Sequence, residues 1–149
     1  MTHCNVDIIR GVFASVLPLH YSEEGVKAGF PSPAQDYTDK FLDFNHELIS
    51  HPAATFYATV IGDSMIEAGI ADGDKLVVDR ALNAQDGDVV VAHLNGEFTV
   101  KYLDLSGIRN GVVRLRPANK AYKSITVTRD DQFEIWGVVV HLIKTFRKG

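Results

Sequence analysis

The dipeptide Asn95-Gly96 most constrains the fold of this chain, because it lies between two apolar runs at residues 89–94 and 98–103. Asn-Gly between such runs is the strongest short-range signal for a two-residue β-hairpin turn, since both turn residues take positive φ. We therefore predict an antiparallel pair of strands joined at Asn95-Gly96.

Further short apolar runs, separated by turn residues, continue this pattern. The turns Asp72-Gly73-Asp74 and Asp86-Gly87-Asp88 each precede one of them. Strands at this even spacing are typical of an all-β sandwich or partly closed barrel, and not of a βαβ fold. We predict a mainly β fold, with a compact β-rich domain over residues 52–149. Its predicted strands cover residues 56–61, 75–79, 89–94, 98–103, 112–115, 125–127 and 135–143.

The first residues of the chain carry a weaker, helical signal. Apolar residues from Ile9 to Leu17 follow i, i+3, i+4 spacing, with Asn5 as a cap and Pro18 as the end. We predict a helix here, in an arm that packs on the body of the protein.

The segment of residues 25–33 holds two glycines and two prolines. This composition forbids a regular helix and favours an extended, accessible segment, the usual place for proteolytic nicking. Beyond it, a short helix is predicted between Tyr37 and Ser50, with Leu48 and Ile49 turned inward.

Composition and charge exclude several classes of protein. Apolar residues make up 46% and charged residues 23% of the 149 residues, as in an ordinary soluble globular protein. The only cysteine, Cys4, rules out an intramolecular disulfide and suits a reducing cytoplasm, where we expect the protein to lie. No signal peptide or membrane-length apolar stretch is present, so no membrane partner is expected. A net charge of −4 with scattered Lys and Arg argues against broad binding to nucleic-acid phosphates.

The six histidines form no pair at the H-x-x-x-H spacing, and a single cysteine excludes a zinc-ribbon site. The glycine-rich turns match no phosphate-binding loop. We therefore expect no metal and no cofactor. His93 and His141 lie in predicted strands and are expected to be ordinary strand residues.

Lys101 is unusual because it lies in a predicted strand whose two faces are both largely apolar. Strand alternation places Thr99, Lys101 and Leu103 on one face. Either the lysine reaches solvent at a sheet edge, or it is buried and loses its proton, since an isolated buried ammonium is very costly. Burial would bring its pKa from about 10.4 towards roughly 7–8, as a general base near neutral pH requires. The strand alone leaves both interpretations open.

Ser64 lies in the motif Gly62-Asp63-Ser64-Met65, directly after the predicted strand that ends at Ile61. A serine there can present its hydroxyl beside backbone N–H groups, those of Ser64 and Met65, which can stabilise an oxyanion. Asp and Ser are also common turn formers and helix caps, so the motif alone leaves a structural role open.

Together these motifs resemble one family. Gly62-Asp63-Ser64-Met65 and its surroundings resemble the nucleophile region of UmuD-type proteins, in the S24-type family of self-cleaving serine peptidases that includes LexA. The resemblance is strong over most of residues 28–143 and weak before residue 18. The matching stretches are residues 53–55, 62–65, 69–70, 72–74 and 77–79 for the nucleophile region, 96–101 for the lysine strand, 28–33 for the scissile segment and 134–139 for the last core strand.

The resemblance implies that Ser64 and Lys101 are a catalytic pair that cuts the chain's own backbone between Ala28 and Gly29. UmuD itself has cysteine before the scissile glycine, whereas Ala28 matches LexA-type sites, and we expect cleavage to survive this difference. Residues 1–28 would be the arm removed on cleavage, residues 29–51 a linker, and residues 52–149 the Ser-Lys peptidase domain.

The resemblance also implies a role in the SOS response to DNA damage. Only 28 residues precede Gly29, too few for the helix-turn-helix domain of a LexA-type repressor, so we expect no sequence-specific DNA binding. A UmuD-like protein would form a homodimer, and a RecA–single-stranded DNA filament would stimulate its cleavage. The product, residues 29–149, would then serve an error-prone, UmuC-like Y-family polymerase in translesion synthesis. The alternatives are a non-catalytic module that docks a polymerase and a fragment of a LexA-type repressor peptidase.

Overall fold

The computed structural model describes residues 5–10, 18–20, 28–29 and 41–149. The chain divides into two compact units. One comprises Met1–Gly11 and Ala53–Gly149, and the other comprises Val12–Pro52. In chain order the elements are β1 (Asn5–Arg10), β2 (Pro18–His20), β3 (Phe41–Asp43), α1 (Phe44–Leu48), β4 (Thr55–Ile61), β5 (Lys75–Asp79), β6 (Val89–Leu94), β7 (Glu97–Asp104), β8 (Val113–Arg116), β9 (Ile125–Val127) and β10 (Phe133–Ile143). Three short 3₁₀ turns lie at Pro52–Ala54, Ile66–Ala68 and Ile108–Asn110.

The larger unit contains an eight-stranded sheet in the order β1-β4-β5-β10-β6-β7-β8-β9. All of these neighbours pair antiparallel. Strand β1 also lies close to β7, although the two are not neighbours in the sheet order, so the sheet curls. The prediction of a mainly β, partly closed architecture is therefore confirmed. No helix among the described residues is long and apolar enough to cross a membrane.

The hairpin predicted at Asn95-Gly96 is confirmed. Strands β6 and β7 pair from Leu94↔Glu97 to Val89↔Tyr102. Asn95 and Gly96 have φ of 50° and 85°, the pair of positive angles that a type I′ turn requires. The other predicted strands also form: those at 75–79 and 125–127 have the predicted boundaries, and the boundaries of the rest differ by at most two residues.

The helix predicted from the N-terminal apolar residues is wrong over residues 5–10. These residues form β1, which pairs with β4 in the sheet. Val6 is buried and Ile8 is half-buried against the same core cluster, so two-residue alternation and pairing with β4 outweigh the helical spacing. The arm therefore packs on the body through a strand. Residues 11–17 of the predicted helix lie outside the described residues.

In the smaller unit, β2 pairs with β3, and α1 follows directly. The Asp43 side chain caps α1 by accepting a hydrogen bond from the Asn45 backbone N–H at 3.2 Å. The helix predicted between residues 37 and 50 is thus confirmed only at Phe44–Leu48: residues 41–43 are strand, and 37–40 lie outside the described residues. Ile49 is buried, as predicted.

Two clusters of buried apolar side chains form the core of the larger unit. Strand β7 contributes to both of them, Val100 to one and Leu103 to the other. Both faces of β7 are therefore covered, which is the environment that the apolar faces around Lys101 indicated. The first cluster comprises Val6, Ala58, Val60, Met65, Ile70, Leu76, Val78, Val91 and Val100, and the second comprises Val90, Ala92, Leu103 and Leu115.

Candidate active site

The turn of residues 62–65, the nucleophile turn, begins where β4 ends. Gly62 has φ of 99°, a left-handed conformation that residues with a Cβ rarely adopt. Its N–H donates a hydrogen bond to Asp72 Oδ1 at 2.8 Å. Ser64 and Met65 are both fully buried (0% exposed), because Met65 belongs to the core cluster and draws the turn inward. The sequence thus places a serine hydroxyl in the interior of the protein.

Lys101 lies in β7 and is also fully buried (0% exposed). The predicted burial of Lys101 is confirmed and the interpretation that it reaches solvent is wrong, whereas the loss of its proton stays a prediction. Its Nζ lies 2.9 Å from Ser64 Oγ, 2.8 Å from Thr99 Oγ1 and 3.1 Å from the Val100 carbonyl oxygen. The structure therefore brings Ser64 and Lys101 into direct hydrogen-bond contact.

The surroundings of the Lys101 amine favour a neutral nitrogen with its lone pair facing Ser64. Complete burial penalises the charged ammonium relative to the neutral amine. A neutral amine has two N–H groups and one lone pair. If Thr99 Oγ1 and the Val100 carbonyl accept the two N–H groups, the lone pair remains to accept the Ser64 O–H. This arrangement can remove a proton from the serine hydroxyl.

The loop of residues 117–122, which we call the bracing loop, holds the nucleophile turn from outside. The Asn119 side chain donates from Nδ2 to the Asp63 carbonyl oxygen at 2.9 Å. The Ala118 N–H donates to the Ser64 carbonyl oxygen at 2.8 Å. The Tyr122 hydroxyl lies 2.6 Å from Asp63 Oδ1. Side-chain and backbone hydrogen bonds thus fix the turn at Asp63 and Ser64.

Sequence reasoning assigned no role to Thr99 or to the bracing loop. Thr99 lay two residues before Lys101 on the same strand face, and this spacing could have identified it as a hydrogen-bond acceptor for the amine. Asn119 and Tyr122 lie between the predicted strands 112–115 and 125–127, and nothing in the sequence linked them to Ser64. Their contacts depend on two segments that lie more than 50 residues apart.

Ala28 and Gly29 lie in a bend of the smaller unit, and both are exposed. Each is accessible, as expected for a segment open to cleavage. The other residues of the predicted scissile segment, 25–27 and 30–33, lie outside the described residues.

His93 and His141 lie in β6 and β10, as the sequence indicated. His93 packs edge-on against Phe98 with ring centroids 5.0 Å apart. Within the described parts of the chain, no three metal-ligating side chains come together.

Comparisons with known proteins show the family to which this chain, with its curled sheet and its buried serine–lysine contact, belongs. A family model described as Peptidase S24-like matches residues 20–140. Protein SamA of Salmonella typhimurium is 45% identical over 124 residues, which cover 83% of this chain and 84% of SamA. Protein MucA of Escherichia coli is 42% identical over 138 residues, covering 91% and 92% of the two chains. The LexA repressor of Stenotrophomonas maltophilia is 39% identical over 122 residues, covering 82% of this chain and 56% of the repressor.

The chain belongs to the Peptidase S24-like family. The resemblance read from its motifs is thereby confirmed.

Proposed function

We propose that this protein is a self-cleaving serine peptidase in which Ser64 is the nucleophile and Lys101 the general base. The observation that carries the proposal is the 2.9 Å contact between Lys101 Nζ and Ser64 Oγ, with both side chains fully buried. Burying a charged lysine costs free energy, so a fully buried lysine in contact with a serine hydroxyl is a candidate for a functional group. The membership of this chain in a peptidase family supports the same chemistry.

The proposed reaction cuts the peptide bond between Ala28 and Gly29. Lys101 Nζ takes the Ser64 hydroxyl proton while Oγ attacks the Ala28 carbonyl carbon. The tetrahedral intermediate then collapses, the C–N bond breaks, and the Lys101 ammonium returns its proton to the Gly29 amine that leaves. Water, activated by neutral Lys101, hydrolyses the Ser64 ester and releases the Ala28 carboxylate. The exposure of Ala28 and Gly29 supports their role as substrate.

We propose the backbone N–H groups of Ser64 and Met65 as the donors that stabilise the oxyanion of this intermediate. They belong to the nucleophile turn, whose carbonyl groups are fixed by the bracing loop. Donors held rigidly before the reaction stabilise developing charge without reorganisation cost.

The biological role that we propose is the SOS mutagenesis pathway, on the basis of family membership and the UmuD-like motifs. A RecA–single-stranded DNA filament stimulates cleavage of a cytoplasmic homodimer. Residues 1–28 leave as the arm. Residues 29–149, comprising a linker to residue 51 and the peptidase domain, then serve a Y-family translesion polymerase.

Incubation of the purified full chain at alkaline pH tests the reaction, because raising the pH deprotonates Lys101 without an activator. Intact-mass spectrometry should detect a fragment of residues 29–149. Ser64→Ala and Lys101→Ala should abolish it. Lys75→Ala is a matched control, because Lys75 also donates from a strand to a threonine hydroxyl, Thr59 Oγ1 at 2.6 Å, but at the surface. Cleavage at Ala28-Gly29 by the Ser64→Ala variant would refute the proposal.

The docking-module alternative makes a different prediction. If the β domain only docks a polymerase, the uncleavable Ser64→Ala chain and the 29–149 product should bind the polymerase with equal affinity and support lesion bypass equally. Our proposal requires the cleaved product to be the more active form.

A further inference from the structure

The bracing loop contacts the nucleophile turn at two successive peptide groups. Asn119 Nδ2 donates to the carbonyl oxygen of Asp63, and the Ala118 N–H donates to the carbonyl oxygen of Ser64. A trans peptide group is planar, and its C=O and N–H point in opposite directions. Fixing a carbonyl therefore fixes the direction of the N–H on the far side of the same plane.

The two fixed planes carry the two N–H groups of interest. The Asp63 carbonyl shares its peptide plane with the Ser64 N–H, and the Ser64 carbonyl shares its plane with the Met65 N–H. Asn119 and Ala118 thus orient, from outside, the two donors proposed for the oxyanion. The Ala118 contact is made by backbone and survives most substitutions, whereas the Asn119 contact depends on one side chain.

We infer that Asn119 is a positioning residue for the oxyanion donors, acting through the Asp63 carbonyl, and that Tyr122 assists it through the Asp63 side chain. This inference rests on the proposed function of Ser64 and Lys101. It assigns the bracing loop a role in the cleavage rate that does not involve touching the substrate or the amine of Lys101.

Asn119 makes two hydrogen bonds, one to the nucleophile turn and one within the bracing loop, and substitutions can separate them. Its Nδ2 donates to the Asp63 carbonyl, while its Oδ1 accepts from the Ala121 N–H at 2.9 Å within the loop itself. Asn119→Asp keeps an acceptor for Ala121 but replaces the donor facing Asp63 with an oxygen that repels the carbonyl. Asn119→Ala removes both contacts without adding charge.

The test measures self-cleavage rates of the full chain across a range of pH. Both Asn119 variants should lower the plateau, the constant cleavage rate reached at alkaline pH, by about tenfold to a hundredfold. This is less than the ~10²–10³-fold loss when an oxyanion donor is removed outright. The loss is partial because the Asp63 carbonyl still accepts from the Ile66 N–H at 3.1 Å. Tyr122→Phe, which loses the hydroxyl contact to Asp63, should lower the plateau a few-fold.

The pH midpoint, at which the cleavage rate is half of its plateau value, distinguishes a positioning role of Asn119 from a general loosening of the fold. Lys101 keeps its contacts in these variants, so the midpoint should stay within a few tenths of a pH unit of that of the unmodified chain. A loosened core would instead admit water to Lys101, raise its pKa and move the midpoint to higher pH. Tyr102→Phe is the matched control for Tyr122→Phe, since its ring can still stack under Arg116, and it should leave the plateau unchanged.

The inference fails if both Asn119 variants cleave within twofold of the unmodified chain, or if their midpoints move together with their plateaus. This outcome is distinct from failure of the proposed function. If the proposed function were wrong, Ser64→Ala and Lys101→Ala would leave cleavage intact.

Discussion

Thr99→Val tests how a hydrogen-bond acceptor beside the Lys101 amine affects its protonation and its orientation towards Ser64. Thr99 Oγ1 lies 2.8 Å from Lys101 Nζ, and both side chains are buried. Valine has a β-branched side chain of similar size to that of threonine, but it lacks the hydroxyl that accepts from the amine. The substitution therefore removes one hydrogen-bond partner of the amine while it leaves Ser64 Oγ and the Val100 carbonyl in place.

The expected magnitudes follow from the hydrogen bonds that remain. A hydrogen bond from a charged donor contributes about 1.5–3 kcal/mol, against about 0.5–1.5 kcal/mol for a neutral one. Loss of the Thr99 acceptor thus destabilises the ammonium more than the amine, by about 1–1.5 kcal/mol, and lowers the pKa of Lys101. The orientation of the lone pair towards Ser64 also weakens. A cost of about 1–2 kcal/mol in the transition state reduces the plateau rate about fivefold to thirtyfold.

The assay is the rate of self-cleavage against pH, followed by the intact mass. In the proposed mechanism Lys101 acts as a base when it is neutral, so the rate should rise with pH through its pKa, and a lowered pKa should move the midpoint to lower pH. Thr99→Val should combine a lower plateau with an acid-shifted midpoint. Thr59→Val is the control, because it breaks the contact of Thr59 with Lys75 away from Ser64. A midpoint that stays fixed or moves to higher pH would refute this account of Thr99.

Two further predictions concern the stability of the sheet. A Cβ on Gly137 would lie 2.5 Å from Val78 Cγ1, so Gly137→Ala should destabilise the protein by about 1–3 kcal/mol. Its cost in thermal unfolding should be less than additive with that of Val78→Ala, and strict additivity would contradict the clash. The pKa of the Asp131 carboxyl is held below its usual range by hydrogen bonds from the Asn95 side chain and from Thr128. A lowered folded-state pKa stabilises the protein above the unfolded-state pKa, and this effect is lost as pH falls through the folded-state pKa. Asp131→Asn should therefore lower the unfolding temperature more at pH 7 than at a pH below the ordinary range of an aspartate. An equal decrease at both pH values would exclude this linkage.

The strands from β4 onward were predictable because their signals are local. Alternating or continuous apolar runs, bounded by Asp-Gly and Asn-Gly turns, define each strand within a few residues of itself. The hairpin at Asn95-Gly96 is the clearest case, since its turn type depends on two residues alone. Strand β1 was missed for the opposite reason. Its conformation depends on pairing with β4, about 50 residues away, and no local pattern reports that pairing.

The candidate site divides in the same way. From the sequence, Ser64 and Lys101 each had a functional and a structural interpretation. Lys101 was singled out because its strand is apolar on both faces. Whether such a lysine is buried depends on what covers β7, and this is decided by β1, β6 and β8 together. The 2.9 Å contact between Ser64 Oγ and Lys101 Nζ joins positions 37 residues apart. Only the family resemblance brought them together in advance.

The bracing loop shows why part of such a site escapes sequence reasoning altogether. Nucleophiles and bases are side chains, so a search by residue type can find them. The oxyanion donors that we propose are backbone groups, which every residue carries, so their role depends on the direction in which they point. That direction is fixed here by hydrogen bonds from Ala118 and Asn119 to carbonyls at Asp63 and Ser64. An asparagine that orients a peptide plane looks like any turn residue in the sequence, and its role becomes visible only when the plane and the far-side N–H are considered together.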